Sequence, residues 1–268
     1  MNSLNTLWLL LKNESAVLVN VISAQGSVPR GVGTWMVIAQ NQMVATIGGG
    51  HLEHEAIRIA KQMLVQKTIQ TQKRFSLGPS LGQCCGGVVE LSFECINASD
   101  IERLKKDLAP SLQPLALFGG GHVGQALIRV LADLPFAITW IDSRDEIFPS
   151  DIPPSVVCEH SHPIQSAVKD LNPNTWVLMM SFSHAEDLDI LQACLMRART
   201  HNDLPYIGLI GSQTKWATFR HRLEAKGFAE DDFAKVICPI GISTITGKEP
   251  EVIAVSVAAQ LLALRATH

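Results

Sequence analysis

The chain has 268 residues, of which 47% are apolar and 18% are charged. This composition is sufficient for a buried core in one large domain or two modest ones, and it excludes an intrinsically disordered chain. With a formal net charge of −3, the chain lacks the excess of positive charge that nucleic-acid binding requires, so we expect no nucleic-acid partner.

The apolar run LWLLL at 7–11 is too short to cross a bilayer, and it lacks the basic segment and cleavage site of a signal peptide. We therefore expect no membrane association and a cytoplasmic location. The six cysteines are then expected to be thiols, because disulfides are rare in that compartment.

The first hundred residues carry the patterns of short strands and of one long helix. Strands are predicted at 16–24, as a pair within 34–48, and at 86–96. Glycine and proline predict a turn at 26–33, and helical spacing of apolar residues follows over 51–67. A polar helix is predicted over 99–113, where Ser99 and Glu102 have the spacing of a capping box.

From residue 114, strands alternate with helical patterns. The predicted strands are PLALFG, AITWID, WVLMMS, YIGLIGS and KVICPIG, with helices near 122–133, 163–170, 186–200, 213–226 and 250–265. Apolar strands in this alternation predict a parallel sheet covered on both faces. The predicted fold class is α/β, with an N-terminal α+β domain at 1–112 and a Rossmann-like domain at 113–268.

A glycine-rich turn at 119–124 follows the first of these strands and begins a helix. Its sequence GGGHVG fits the pattern G-x-G-x-x-G. Gly119 permits the tight turn, Gly121 allows a phosphate to approach, and Gly124 allows close packing of helix on strand. The amides at the helix start, around His122, would face the anion. Alternatively, the glycines serve only close packing.

The end of the next predicted strand carries a carboxylate at the place where Rossmann proteins bind a ribose. Asp142 follows the glycine turn by about 20 residues, as that role requires. Arg144, two residues later, could instead meet an additional phosphate.

Adjacent thiols, Cys84 and Cys85, lie between glycines in GQCCGG. A thiolate in such a turn could bind a soft metal or accept sulfur. The spacing fits neither a zinc ribbon nor a thioredoxin site. The alternative is a pair of buried small residues in a tight turn.

A second glycine turn precedes the helix predicted at 51–67. It comprises Gly48, Gly49, Gly50 and His51. With Glu53, His51 opens the helix, whose first turn faces whatever the glycines face. His51 and His54 are three residues apart, so the pattern of a zinc protease does not fit.

Polar residues elsewhere support weaker hypotheses. Cys158, His160 and His162 alternate, as zinc ligands on a strand could, but Pro163 favours a solvated loop. Ser183 is expected to cap the helix that carries His184 and Asp187, while Lys215 could reach a phosphate or be an ordinary first-turn lysine.

Seven segments in order, including GSVPRGVGTWMVI, TIGGGHLEHEAI, SLGPSLGQCCGGVVELSFE, LALFGGGHVGQAL and PIGISTITGKEPEVIAVSVAAQLL, give the chain its resemblance to a known family. It resembles the XdhC/CoxI family of xanthine dehydrogenase accessory proteins from about residue 14 to 265. The resemblance implies a chaperone, not an enzyme, that binds molybdenum cofactor (molybdopterin), supports its sulfuration and promotes its insertion.

The same resemblance implies partners and ligand-facing residues. The partners would be the apo-subunit of xanthine dehydrogenase, a cysteine desulfurase and a second copy in a homodimer. The candidate cofactor-binding residues are Gly48, Gly49, Gly50, His51, Glu53, Cys84, Cys85, Gly119, Gly121, His122, Gly124 and Asp142. Among them, Cys85 is the candidate for contact with molybdenum or its sulfur.

Two alternatives remain open at this point. An NAD(P)-dependent oxidoreductase would bind its nucleotide at the 119–124 turn and need a general acid or base, for which His184 is the best candidate. A scaffold that joins a desulfurase to an apo-molybdoenzyme would leave the Rossmann domain empty, because fold alone does not establish chemistry.

Overall fold

A computed structural model describes residues 3–77 and 86–266, and the chain divides into two compact units, Met1–Ala109 and Pro110–His268. Cys84 and Cys85 lie outside the described residues. In the N-terminal unit the elements are α1 (Ser3–Leu11), β1 (Ala16–Gln25), β2 (Trp35–Ile38), β3 (Met43–Ala45), α2 (Gly50–Gln66), β4 (Gln70–Ser76), β5 (Val88–Ile96) and α3 (Ile101–Asp107).

The N-terminal unit is an antiparallel sheet between two helical layers. Its strand order is β3-β2-β1-β5-β4. Side chains alternate across a strand, and in β1 Val17 and Val19 face the core beneath α2, whereas Leu18 faces the core beneath α1 and α3. Both faces of the sheet are therefore buried.

The second unit is a parallel sheet with helices on both faces. Its elements are β6 (Gln113–Phe118), α4 (His122–Leu131), β7 (Phe136–Asp142), β8 (Val156–His160), β9 (Trp176–Met179), α5 (His184–His201), β10 (Ile207–Leu209), α6 (Gln213–Glu224), β11 (Val236–Ile237) and α7 (Pro250–Arg265). The strand order β11-β10-β9-β6-β7-β8 is that of a Rossmann sheet. The order reverses between β6 and β9, where such sheets bind ligands.

The core of this unit explains its strand pattern. Leu115 and Leu117 of β6 pack in the cluster that contains α4 and α7, while Ala116 and Phe118 pack in the cluster that contains α5 and α6. Every residue from Leu115 to Phe118 is buried, as the continuous apolar run predicts for a doubly covered strand. The predicted α/β class with a Rossmann-like second half is confirmed.

Two elements of the sheets were not predicted. The solvated loop predicted at 158–163 is wrong for residues 158–160, which belong to β8. As the edge strand, β8 buries few side chains, and Val157 is 63% exposed, so its sequence carries a weak strand pattern. WVLMMS is consequently the fourth strand of this sheet, not the third. β4, at the edge of the N-terminal sheet, escaped prediction for the same reason, since Phe75 is its one buried residue.

A short 3₁₀ helix, Ala98–Asp100, lies between β5 and α3, and it begins earlier than the predicted capping box. The capping residue is Asn97, whose side chain accepts a hydrogen bond from the Ser99 amide at 2.8 Å. Asp100 completes the box by accepting from the Asn97 amide at 2.9 Å. The Ser99–Glu102 box is therefore wrong, and Glu102 instead pairs with Lys105 at 2.7 Å on the exposed face.

Candidate functional site

Three consecutive glycines form the turn that begins α2. Gly48, Gly49 and Gly50 have φ angles of +116°, +77° and +65°, a region that residues with a Cβ atom rarely adopt. A Cβ atom at Gly48 would lie 2.5 Å from Cβ of Pro29, whereas one at Gly49 would meet nothing within 4 Å. The turn therefore presses against the 26–33 loop on one side and leaves open space at Gly49, the N-cap residue.

A carboxylate from the helix holds this turn. Oε2 of Glu53 accepts hydrogen bonds from the Gly49 amide, at 3.0 Å, and from the Thr46 hydroxyl. That hydroxyl in turn accepts from the Gly48 amide at 3.1 Å. One oxygen of Glu53 thus stabilises the turn, while His51 lies on the exposed side of the same helical turn. The predicted contacts of both residues to a ligand stay predictions.

A third glycine segment lies at the end of β1. A Cβ atom at Gly87 would lie 2.5 Å from the carbonyl oxygens of both Gln25 and Ser27, so only glycine fits there. The Gly87 amide donates to Ser27 O at 3.1 Å, and the Leu77 amide donates to Gly87 O at 2.8 Å. The two described ends of the chain that flank 78–85 are therefore fixed beside the 26–33 loop.

In the second unit, packing explains two of the three motif glycines. Gly119 has a φ of +122°, and a Cβ atom there would lie 2.1 Å from Met180 O. A Cβ atom at Gly124 would lie 2.1 Å from Gly119 O, so the helix packs directly on the turn. Gly121, the N-cap residue of α4, would place its Cβ atom where no other atom lies within 4 Å. Beside it, His122 begins the helix as an exposed residue.

Asp142 is buried beneath this turn. Its carboxylate accepts hydrogen bonds from the Gly120 amide at 2.6 Å and from the amide, Nε and a terminal guanidinium nitrogen of Arg144, each at 2.9 Å. Burial by itself would raise the pKa of Asp142, but these hydrogen bonds outweigh it and lower the pKa. The Asp142 side chain is 1% exposed, and its predicted contact to a ligand stays a prediction.

Comparison with known proteins identifies the family. The model of the XdhC Rossmann domain matches residues 115–261, and that of the XdhC and CoxI family matches residues 9–75. The chain belongs to the XdhC family. The resemblance stated from the sequence is thereby confirmed.

This XdhC-family chain is similar to one solved structure in fold and to one curated protein in sequence. A solved structure described as a xanthine dehydrogenase from Bacillus halodurans is 19% identical, with a TM-score of 0.80 over all of this chain and 97% of that one, which shows a shared fold. The uncharacterized protein YqeB of Escherichia coli K12 is 27% identical over 92% of this chain. The chain spans 43% of the length of YqeB.

Other polar residues predicted at this edge of the Rossmann sheet form a buried network. Ser183 caps α5 by accepting from the Glu186 amide at 3.2 Å, as predicted. Asp187 accepts from Ser181 and, at 2.6 Å, from Nζ of Lys215, which is 10% exposed. Lys215 also donates to Ile210 O at 2.8 Å. This lysine therefore holds the ends of neighbouring strands together rather than extending towards solvent.

Sequence reasoning did not identify two residues at the strand reversal. Phe182, three residues after the end of β9, is 69% exposed, and Glu186 lies in the first turn of α5. An aromatic residue between two serines at a strand end was the signal available for Phe182. The contacts of both residues depend on the loop after β7, which is distant in sequence.

The described residues form neither a cluster of metal ligands nor a membrane-spanning helix. Within 3–77 and 86–266, no three histidine, cysteine, aspartate or glutamate residues are grouped to hold a metal ion. His160, on β8, has its Nε2 3.2 Å from the carboxylate of Asp145. No helix in the described part of the chain is both long and apolar enough to cross a membrane.

Proposed function

We propose that this chain is an accessory chaperone that binds molybdenum cofactor, supports its sulfuration and promotes its insertion into xanthine dehydrogenase. Membership of the XdhC family supports the role. The observation that carries the binding proposal is the open space at Gly121, because the start of α4 directs backbone amides and the positive end of the helix dipole at it.

The residues present suit the phosphate tail of a pterin cofactor. Both glycine turns begin a helix, and in each the N-cap glycine, Gly49 or Gly121, has nothing within 4 Å of its Cβ position. In this proposal Gly119, Gly121, His122 and Gly124 shape one anion site, and Gly48 to Gly50 with His51 shape a second contact surface. When bound, the cofactor supplies the molybdenum–sulfur chemistry of the client enzyme, and the chain holds it without turning over a substrate.

The sulfur-handling role is assigned to Cys84 and Cys85, with Cys85 facing molybdenum or its sulfur. The four cysteines within the described residues suit that role poorly. Burial raises the pKa of Cys194 to about 12 and that of Cys238 to about 11, and it also raises the pKa of Cys95 and Cys158. Since the thiolate is the reactive form, such thiols are inert near neutral pH.

The proposed partners follow from the role. They are the apo-subunit of xanthine dehydrogenase, which receives the cofactor, and a cysteine desulfurase, which supplies the sulfur. A homodimer, a cytoplasmic location and a place in purine catabolism complete the proposal. An NAD(P)-binding oxidoreductase is the alternative, and the strand order of a dinucleotide-binding sheet favours it.

Anaerobic purification followed by measurement of bound molybdenum and pterin fluorescence tests the proposal. We expect the wild-type chain to retain molybdopterin and Gly121→Val to lower its affinity by about tenfold or more, with Gly121→Ala intermediate, because the added methyl groups occupy the phosphate space. Melting temperatures of all three chains check that they are folded. A chain that retains no molybdopterin, yet reduces a small carbonyl with NADH, would falsify the proposal.

The thiol assignment has its own measurement. Cys85→Ala is expected to retain the cofactor but to deliver less of its sulfurated form to apo-xanthine dehydrogenase. Cys95→Ala is the matched control, because that half-buried thiol has a raised pKa. Equal delivery by the Cys85→Ala and wild-type chains would remove Cys85 from the mechanism.

A further inference from the structure

The loop after β7 contacts the loop after β9 and the first turn of α5 through two pairs of side chains. The guanidinium carbon of Arg144 lies 4.8 Å from the centre of the Phe182 ring, within the range of a cation–π contact. The Ser143 hydroxyl donates to Oε1 of Glu186 at 2.5 Å. These four residues, Ser143, Arg144, Phe182 and Glu186, are called the bridge below.

The strand order places the bridge across the carboxyl end of β6. β6 lies between β7 and β9, and strands two positions apart in a sheet are roughly 10 Å from each other. The glycine turn fills this gap, with Gly119 against Met180 and Gly120 against Asp142. Side chains that join the loops on either side must therefore cross the end of β6 at the turn.

An extended dinucleotide uses this same crevice in Rossmann proteins. Its pyrophosphate lies at the helix start, and its adenosine ribose reaches the carboxylate at the end of the second strand. Here that carboxylate, Asp142, is 1% exposed and is bound by Arg144. The bridge thus occupies the path of a dinucleotide, and the usual partner of the ribose is already bound.

Glu186 shows that the bridge has an energetic cost. Its Oε2 is the one buried side-chain polar atom, among the residues that the structure describes, that has no hydrogen-bond partner. A buried acceptor without a protein partner lowers stability, and a functional constraint is one explanation for keeping it. Ligand selectivity is a functional constraint of this kind, because it requires contacts that disfavour one class of ligand.

We propose that the bridge makes the Rossmann turn selective, rejecting extended dinucleotides and admitting a ligand that ends in one phosphate. Only the identity of the admitted ligand rests on the proposed function. That ligand is molybdopterin, whose tail ends in a single phosphate. The rejection of dinucleotides is a property of Arg144, Phe182 and Asp142 themselves. It can therefore be measured without any molybdenum.

Fluorescence titration with NADH and NADPH tests this proposal. The wild-type chain is expected to bind both weakly. Arg144→Ala breaks the Arg144–Phe182 contact of the bridge and removes the guanidinium from Asp142, so NADH affinity should rise by about tenfold or more, and NADH should be preferred because the carboxylate repels a 2′-phosphate. Adding Gly121→Val to this variant should abolish the gain, which would place the nucleotide at the turn.

A second variant and a control separate the effect from a folding defect. Phe182→Ala alters a side chain that is 69% exposed and leaves the Asp142–Arg144 pair intact, so it should gain NADH affinity by a smaller factor without loss of stability. Arg129→Ala, an exposed arginine in the last turn of α4, should leave affinity unchanged.

Two results would overturn the proposal. If the wild-type chain binds NADPH tightly and Arg144→Ala weakens it, Arg144 is a receptor for the 2′-phosphate. If no variant gains NADH affinity, the bridge does not determine selectivity. Neither result concerns molybdopterin retention. If the variants gain NADH affinity but the wild-type chain retains no molybdopterin, the proposed function is refuted and the selectivity proposal stands.

Discussion

The two glycine turns use the same chemistry but obtain it from different distances in the sequence. In the N-terminal unit, Glu53 accepts from the Gly49 amide at 3.0 Å, four residues away on the helix that the turn begins. In the Rossmann unit, Asp142 accepts from the Gly120 amide at 2.6 Å, 22 residues away on the neighbouring strand. We call each carboxylate the brace of its turn. The brace at Glu53 is local in sequence, whereas the brace at Asp142 forms only when β6 and β7 are paired.

This difference changes what each carboxylate can do. Glu53 is partly buried, and within the described residues its hydrogen bonds run to the turn alone. Asp142 also binds Arg144, which in turn contacts Phe182 on the other side of the turn. A brace drawn from a neighbouring strand thus connects the turn to the loops around it, which a local brace does not.

The largest expected effect is on the free energy of unfolding. It separates glycines whose Cβ position meets other atoms from glycines whose Cβ position is open. Gly119→Ala places a methyl group against Met180 O at a positive φ, so the free energy of unfolding should fall by roughly 3 kcal/mol. Gly121→Ala meets no atom within 4 Å and should cost less than about 1 kcal/mol. Urea denaturation measures both, and equal losses would contradict the packing account of Gly119.

A smaller effect compares the two carboxylates. Asp142→Asn leaves the Arg144 guanidinium without its charged partner and should lower the free energy of unfolding by about 2 kcal/mol. Glu53→Gln keeps an acceptor in place and should cost about 0.5–1 kcal/mol. Asp151→Asn, at an exposed position, is the control. Similar losses for Asp142→Asn and Glu53→Gln would erase the distinction between local and non-local braces.

The smallest effect is a dependence on pH. The folded-state pKa of Asp142 is below its usual value of about 3.9, so its stabilisation is complete above that pH and is lost as the pH falls through the lower folded pKa. The difference in unfolding free energy between the wild-type and Asp142→Asn chains should therefore shrink below about pH 4. A difference that stays constant down to pH 2 would mean that the charge of Asp142 contributes nothing.

The sequence predicted the elements whose signals are local. Continuous apolar runs identified β6, β7 and β9, and the motif glycines located the turn before α4. It missed β4 and β8 because an edge strand buries few side chains and so carries a weak pattern. It placed the cap at Ser99 rather than at Asn97, which caps the 3₁₀ helix before α3, because both are good capping residues and only the backbone path decides between them.

The candidate site divides in the same way. The glycine turns and the helix starts could be found in the sequence, because the residues of each are consecutive. The hydrogen bonds of Glu53 to Thr46 and Gly49 were not predicted, since the sequence analysis assigned Glu53 to a ligand. The bridge could not be found, because it joins segments that follow β7 and β9, and β6 lies between these two strands in the sheet. The Asp187–Lys215 pair could not be found either, because its members are 28 residues apart on different helices.

By itself, the sequence determined the fold class, the family and the position of both glycine turns, since backbone conformation and side-chain periodicity are written in consecutive residues. Only the tertiary structure decided that Asp142 is buried and accepts from the Gly120 amide, that Lys215 is held by Asp187, and that Phe182 stays exposed. The physical reason is that burial and charge pairing depend on which strands become neighbours, and strand order is a property of the whole sheet.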